Sequence, residues 1–332
     1  MLYPFVLEPA YKEYLWGGRS LEKWGKSLPE GIVAEAWEAS AHPDGLSRVS
    51  NGIFAGKTLK EVIDAHPETI LGREAAERYQ NQLPLLFKLI DAKDRLSVQV
   101  HPDDAYARKM ENQPFGKYEA WYILEAAPDA NIVYGLIPGT DREAFQKALL
   151  DGRVSNCLKT VPVRAGDLFE VKPGVVHAIG SGIVLAELQQ NSNLTYRVHD
   201  YGRLDAQGNK RELHIQKALD VIDFEDSGSG VSGSPGLTTN KKAILRNEYF
   251  TLETLKIRNR RVREELNGFR ILFLCEGYAD IWYPGGVVHA SRGKTVFISA
   301  SLGRYSVSGL CRMLRMYATA PLRTNAKRKK QE

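Results

Sequence analysis

Apolar and polar positions change their period along this chain, and each change marks an element. Over residues 58–82, Leu59, Val62 and Ile63 are spaced for one helical face, and the polar run REAAERYQNQ follows until Pro84 ends the pattern. Short β-type runs come next: Leu85 to Leu89, Leu96 to Val100, Ala120 to Leu124 and Ile132 to Leu136. Thr140-Asp141-Arg142-Glu143 has the form of a capping box and opens a helix through FQKALLDG. Leu168 to Val171 and Ile183 to Leu188 are strand-like again, whereas residues 1–50 follow no regular period. Beyond the Gly/Ser-rich segment Asp226 to Asn240, apolar runs at Tyr249 to Ile257, Gly268 to Leu274, Ala279 to Trp282 and Val296 to Ser299 read as strands. Many short strands between turn signals indicate sandwich or barrel architecture. The pattern therefore predicts a β-domain with helical segments over 1–225, a linker over 226–240, a smaller β-domain over 241–318 and a disordered basic tail over 319–332.

Length and composition fit this reading. A chain of 332 residues exceeds one ordinary core, and 43% hydrophobic with 26% charged residues is ordinary for a globular protein. Much of the formal charge of +5 sits in Lys327-Arg328-Lys329-Lys330, so no nucleic-acid partner is expected. Three dispersed cysteines argue against a disulfide framework and for a reducing, cytoplasmic setting. No signal-peptide core and no apolar run of about 18 residues is seen, so no membrane partner is expected. Gly228, Gly230 and Gly233 spell G-x-G-x-x-G, but Pro235-Gly236 follows where a dinucleotide loop needs a helix.

Chemistry concentrates in Ser97-Val98-Gln99-Val100-His101-Pro102-Asp103-Asp104. Side chains alternate along a strand, so Gln99 and His101 leave one face as two neutral metal-binding groups. Glu119 opens a plausible neighbouring strand, and His177 follows a turn, a strand and the Pro173-Gly174 turn. Two histidines, a carboxylate and an amide suit Zn²⁺ or another borderline divalent ion. His289 sits in Pro284-Gly285-Gly286-Val287-Val288-His289-Ala290, which echoes Pro173-Gly174-Val175-Val176-His177-Ala178, but no Gln-x-His or matching glutamate accompanies it. The smaller domain is therefore expected to be metal-free. Lys88, inside an apolar strand, reads as a snorkelling side chain or a site cation. Lys117 shares a strand face with Glu119; Glu187, Arg197 and Arg203 follow, and cations gathered near a metal suit an anionic substrate.

These motifs, with Pro84-Leu85-Leu86-Phe87-Lys88-Leu89, Gly116-Lys117-Tyr118-Glu119-Ala120-Trp121-Tyr122 and Gln189-Gln190-Asn191-Ser192-Asn193-Leu194-Thr195-Tyr196-Arg197, resemble the type I mannose-6-phosphate isomerases in their short Gram-positive form. The resemblance covers most of residues 1–318 and is strongest over 84–203. It implies a mainly β fold: a cupin-type β-sandwich or barrel with helical additions, then a smaller degenerate cupin-like β-domain. It also implies one Zn²⁺ per chain on Gln99, His101, Glu119 and His177, and a small sugar phosphate as partner, the chain being a monomer or weak homo-oligomer. Arg197 matches the catalytic arginine, and Glu187, Lys117, Lys88 and Ser97 match other active-site positions. Arg203 falls where relatives can carry a basic residue. The implied reaction is mannose 6-phosphate to fructose 6-phosphate through a cis-enediol, with Glu187 or Lys117 as base and the phosphate on Ser97, Lys88, Arg197 or Arg203. Tyr118 stands where a small residue is usual and Ala120 where a cysteine is common; Tyr118 alters sugar specificity only if it points inward. An Fe(II) cupin dioxygenase on His101, Glu119 and His177, and a non-catalytic sugar-phosphate-binding cupin, are the rival readings; Gln99 and the cations speak against the first, the complete ligand set against the second.

Overall fold

The structure, a computed structural model, describes residues 2–204, 207–225, 242–258 and 261–319. The Gly/Ser-rich segment 226–240 and all but the first residue of the basic tail lie outside the described residues. The fold is mainly β, with antiparallel sheets and short helices at their margins.

Two sheets form the layer pair that carries the site. One has six strands in the order Leu168–Val171, Glu119–Ala126, Ile183–Gln190, Leu85–Ala92, Glu35–Ala39, Ala10–Lys12. The other has five: Leu158–Pro162, Asn131–Leu136, His177–Ile179, Val98–Val100, Tyr196–His199. Both faces of the five-stranded sheet are covered. Val98, Val100, Val176 and Ala178 pack with Phe145 of helix Arg142–Leu150 and with Ala218 and Leu219 of helix Ile215–Val221. Val175 and Ile179 face the six-stranded sheet through Ile90, Trp121 and Leu185.

The third layer is the C-terminal β-unit. Its sheet runs Lys242–Arg246, Phe250–Arg258, Arg304–Ala318, Arg270–Tyr283, Thr295–Ile298 and then accepts Phe5–Glu8 from the start of the chain, with Phe5 opposite Phe297. Phe5, Phe87, Leu89, Ala186 and Leu188 share a core with Phe250, Phe273, Phe297 and Leu314, and the rings of Phe87 and Phe273 lie 5.4 Å apart. Each aromatic buried there removes enough apolar surface to contribute about 1.5–3 kcal/mol.

Several elements differ from the periodicity. The helix expected over 58–82 is three short ones, Leu59–Ala65, Pro67–Leu71 and Arg73–Arg78. Pro67 lacks the N–H a continuing helix needs, and Gly72 takes φ +91°. The later helix begins at Arg142 with Asp141 as its cap, its carboxylate accepting from the Ala144 N–H at 2.8 Å, so the Thr140 box is not used. The runs Gly268 to Leu274 and Ala279 to Trp282 are one strand, Arg270–Tyr283, whose bulge between Leu274 and Glu276 breaks the apolar alternation. Tyr118 points out of the layer pair: its hydroxyl donates to Glu170 Oε1 at 2.8 Å and its ring meets Tyr249 at 5.5 Å and Phe250 at 6.1 Å.

Candidate active site

Strand alternation selects what enters the space between the two sheets. On Leu85–Ala92, Phe87 and Leu89 turn to the shared core and Lys88 turns inward. On Ile183–Gln190, Ala186 and Leu188 go outward and Glu187 inward. Across the gap, His177 lies opposite Gln99 in register, and Gln99 lies opposite Arg197.

His101, Glu119 and His177 are each 0% exposed, and their ligand atoms all lie within 4.8 Å of one another. The two Nε2 atoms are 3.1 Å apart, and each is 3.5 Å from a Glu119 oxygen. His177 Nδ1 donates to the Val175 carbonyl at 2.9 Å, so its Nε2 carries the lone pair. His101 Nε2 faces the Lys117 ammonium at 3.1 Å as an acceptor. Two imidazole lone pairs at this separation repel, and buried Glu119 Oε1 accepts no hydrogen bond. A cation among them resolves both costs. Tetrahedral Zn–N bonds of about 2.0–2.1 Å place two nitrogens about 3.3 Å apart, close to the observed spacing. Gln99 reaches the same point, its amide 3.3 Å from His177 Nε2, and turning that amide over presents its oxygen. The residues thus fit a divalent metal.

Electrostatics prepare the site for it. Burial, then Lys117, pushes His101 down to about 3, and burial likewise lowers His177, so both imidazoles are neutral. Burial alone would raise Glu119, but the Lys117 ammonium at 2.6 Å outweighs it and holds the carboxyl well below its usual range. Glu187 goes the other way, raised by burial and then by the Glu119 charge. Its Oε2 accepts from Trp121 Nε1 at 3.0 Å. Lys88 is no snorkelling side chain: it is 3% exposed, 3.5 Å from Glu35, 3.6 Å from Glu187 and 4.5 Å from the Trp37 ring centre. Burial opposes its charge, but the two carboxylates prevail and raise its pKa.

The site opens into a cavity of about 240 Å³. Ser97, Gln99, Lys117, Lys88, Glu187 and Arg197 line it, as the sequence led us to expect of residues brought together. Arg203 does not line it; its guanidinium is held by Asp200 and the Arg95 carbonyl. Arg211, Glu35, Tyr14 and Trp16 line it and were not anticipated. Glu35 had a signal, since it shares a strand face with Trp37 in the segment Glu35–Ala39, and Trp37 Nε1 donates to it at 2.6 Å. Arg211 had none, because its place depends on a hairpin. His289 is far more exposed, with Nδ1 2.7 Å from Asp280, and His101, Glu119 and His177 are the group of three ligand-type residues found among the described residues.

Comparison with known proteins agrees with this geometry. Residues 5–122 match the family described as phosphomannose isomerase type I, catalytic domain, and residues 239–318 match the mannose-6-phosphate isomerase cupin domain. The Bacillus subtilis protein named "Probable mannose-6-phosphate isomerase GmuF" is 36% identical over 95% of this chain and 99% of its own length. The chain belongs to the type I phosphomannose isomerase family. A mannose-6-phosphate isomerase of Streptococcus mutans is 42% identical over 67% of this chain and 68% of that one. The crystal structure of the Bacillus subtilis mannose 6-phosphate isomerase superposes with a TM-score of 0.83 at 31% identity, covering 95% of this chain and all of that one. Among the described residues no helix is long and apolar enough to cross a membrane.

Proposed function

We propose that this chain interconverts mannose 6-phosphate and fructose 6-phosphate through a cis-enediol, with one Zn²⁺ held by Gln99, His101, Glu119 and His177. The observation that carries the proposal is the convergence of two neutral buried imidazoles on an unpaired buried carboxylate oxygen, beside a cavity whose wall bears Glu187 and Arg197. A bound ion would supply Lewis-acid polarisation of the substrate's carbonyl.

The protein's own groups do the rest. Isomerisation removes a proton from C2 and returns it to C1, and the shuttling group must hold and release that proton near neutral pH. Glu187 suits the role, because burial and then the Glu119 charge raise its proton affinity above that of an ordinary carboxylate. Lys117 is committed elsewhere, its ammonium bound to Glu119 and His101. Lys117 therefore keeps Glu119 ionised, and Glu187 is the base. Arg197, oriented by Ser97 Oγ at 3.1 Å and the Glu212 carbonyl at 2.9 Å, brings a fixed positive charge to the cavity wall for the anionic substrate. Lys88 bridges Glu35 and Glu187 and tempers the rise in the proton affinity of the base. A cytoplasmic location belongs to the same reading, supported by three free, buried thiols at Cys157, Cys275 and Cys311.

The test is to strip the metal with a chelator, restore Zn²⁺ or Fe²⁺ separately, and follow fructose 6-phosphate formation. Zn²⁺ is expected to restore turnover without oxygen uptake. No turnover with any divalent ion sinks the isomerase reading, and oxygen uptake with Fe²⁺ on a substrate screen points to a dioxygenase.

A further inference from the structure

Lys88 and Lys117 do not hold the cavity's spare positive charge. Lys88 lies between two carboxylates, and Lys117 lies against Glu119. The surplus is where Arg197 and Arg211 both reach the wall. Arg197 commits Nε to Ser97 and Nη1 to the Glu212 carbonyl, and Arg211 turns Nε and Nη2 onto Asp200. Nη2 of Arg197 and Nη1 of Arg211 have no protein partner among the described residues. Burial, then Arg211, lowers the pKa of Arg197, so the two guanidiniums oppose each other's charge. An anion between them removes that opposition.

A small hairpin explains how Arg211 gets there. Leu204 and Lys210 form an isolated bridge, and Arg203 and Arg211 stand one residue outside it on opposite arms. Like charges facing across a ribbon repel. Asp200, 6% exposed, accepts from both guanidiniums and offsets the repulsion. Arg203 is braced from outside the cavity by the Arg95 carbonyl and by the Tyr201 ring 5.4 Å away. The carboxylate it holds aims Arg211 inward.

Resting on the isomerase reading above, we infer that Arg211 and Arg197 form the phosphate subsite, and that Asp200 is the positioning residue that sets Arg211. A guanidinium fork matches phosphate oxygens in a way an ammonium does not.

The experiment compares wild type, Arg211→Ala, Arg211→Lys and Asp200→Asn in two readouts. The first is steady-state turnover of mannose 6-phosphate by the zinc-loaded protein. The second is calorimetric binding of inorganic phosphate to the metal-free protein. Losing a charged hydrogen-bond donor costs about 10- to 150-fold, so Arg211→Ala is expected to raise KM by that factor with kcat within a few-fold, and to weaken phosphate binding in parallel. Arg211→Lys recovers only part of the loss, and Asp200→Asn raises KM less than Arg211→Ala does. Should Arg211→Ala fail to fold by circular dichroism, Arg211→Lys carries the comparison. KM and phosphate affinity within twofold of wild type in Arg211→Ala and Arg211→Lys overturn the inference. Weakened phosphate binding with no turnover even in wild type upholds the subsite and overturns the isomerase reading instead.

Discussion

Pro173-Gly174-Val175-Val176-His177-Ala178 and Pro284-Gly285-Gly286-Val287-Val288-His289-Ala290 are near copies, yet His177 is fully buried and the His289 side chain is 76% exposed. The first lies on a strand in the middle of a sheet covered on both faces, so every residue of His177–Ile179 is inside. The second lies on Gly286–Ser291, a strand paired among the described residues only with Arg270–Tyr283, and its histidine takes the solvent face. The interiors differ in the same sense. The C-terminal unit is filled by Leu255, Leu272, Ile281, Val296 and Met313. Its most deeply buried charge among the described residues, Arg315, is closed off by Glu253 and Glu264, which Arg270, Tyr305 and Tyr317 complete. The N-terminal site leaves Glu119 Oε1 without a hydrogen bond and sets two imidazole nitrogens 3.1 Å apart. A closed polar network specifies a fold; an open one beside a cavity binds and reacts.

That contrast breaks first at the metal ligands. His101→Ala removes one of four donors and is expected to abolish both zinc retention, read by atomic absorption, and turnover. Glu187→Gln keeps the shape and the Trp121 contact but cannot take a proton. Its kcat should fall about 10²- to 10⁴-fold with the unfolding midpoint retained. In the other unit, Arg315→Ala strands two buried carboxylates and should destabilise by about 3–5 kcal/mol in urea titration, with kcat per folded molecule unchanged.

Acid separates the units as well. His101 has a folded pKa of about 3 against 6.5 in the unfolded chain, so in the metal-free protein the unfolded state binds more protons between those values. Stability attached to this group is complete above about pH 6.5 and lost as pH falls toward 3. Thermal melts of chelated protein should show that decline, and His101→Gln should flatten it. The smallest effect belongs to the decoy: His289→Ala should leave kcat/KM and zinc content within twofold of wild type.

Much of the site was legible because its cues are local. Gln99 and His101 follow from period two on one strand, and the Pro-Gly turn marks His177. Glu187 and Lys117 were both candidates for the base, and no local cue in the sequence shows that Lys117 packs 2.6 Å from Glu119. Arg203 and Arg211 carry the same chemistry eight residues apart, and nothing in their neighbours says which reaches the cavity. Phe5–Glu8 reads as irregular because its strand partners, Thr295–Ile298, lie about 290 residues away.

By itself, then, the sequence determined the β-rich class and the family and marked Gln99, His101, Glu119 and His177 as candidate metal ligands, all from residue type and short spacing. Tertiary structure decided which histidine of two like motifs is buried, which of Arg203 and Arg211 lines the cavity, and how the first strand completes the last sheet. Those outcomes rest on pairing between distant segments, whose contact energies depend on neighbours that no local window of the chain contains.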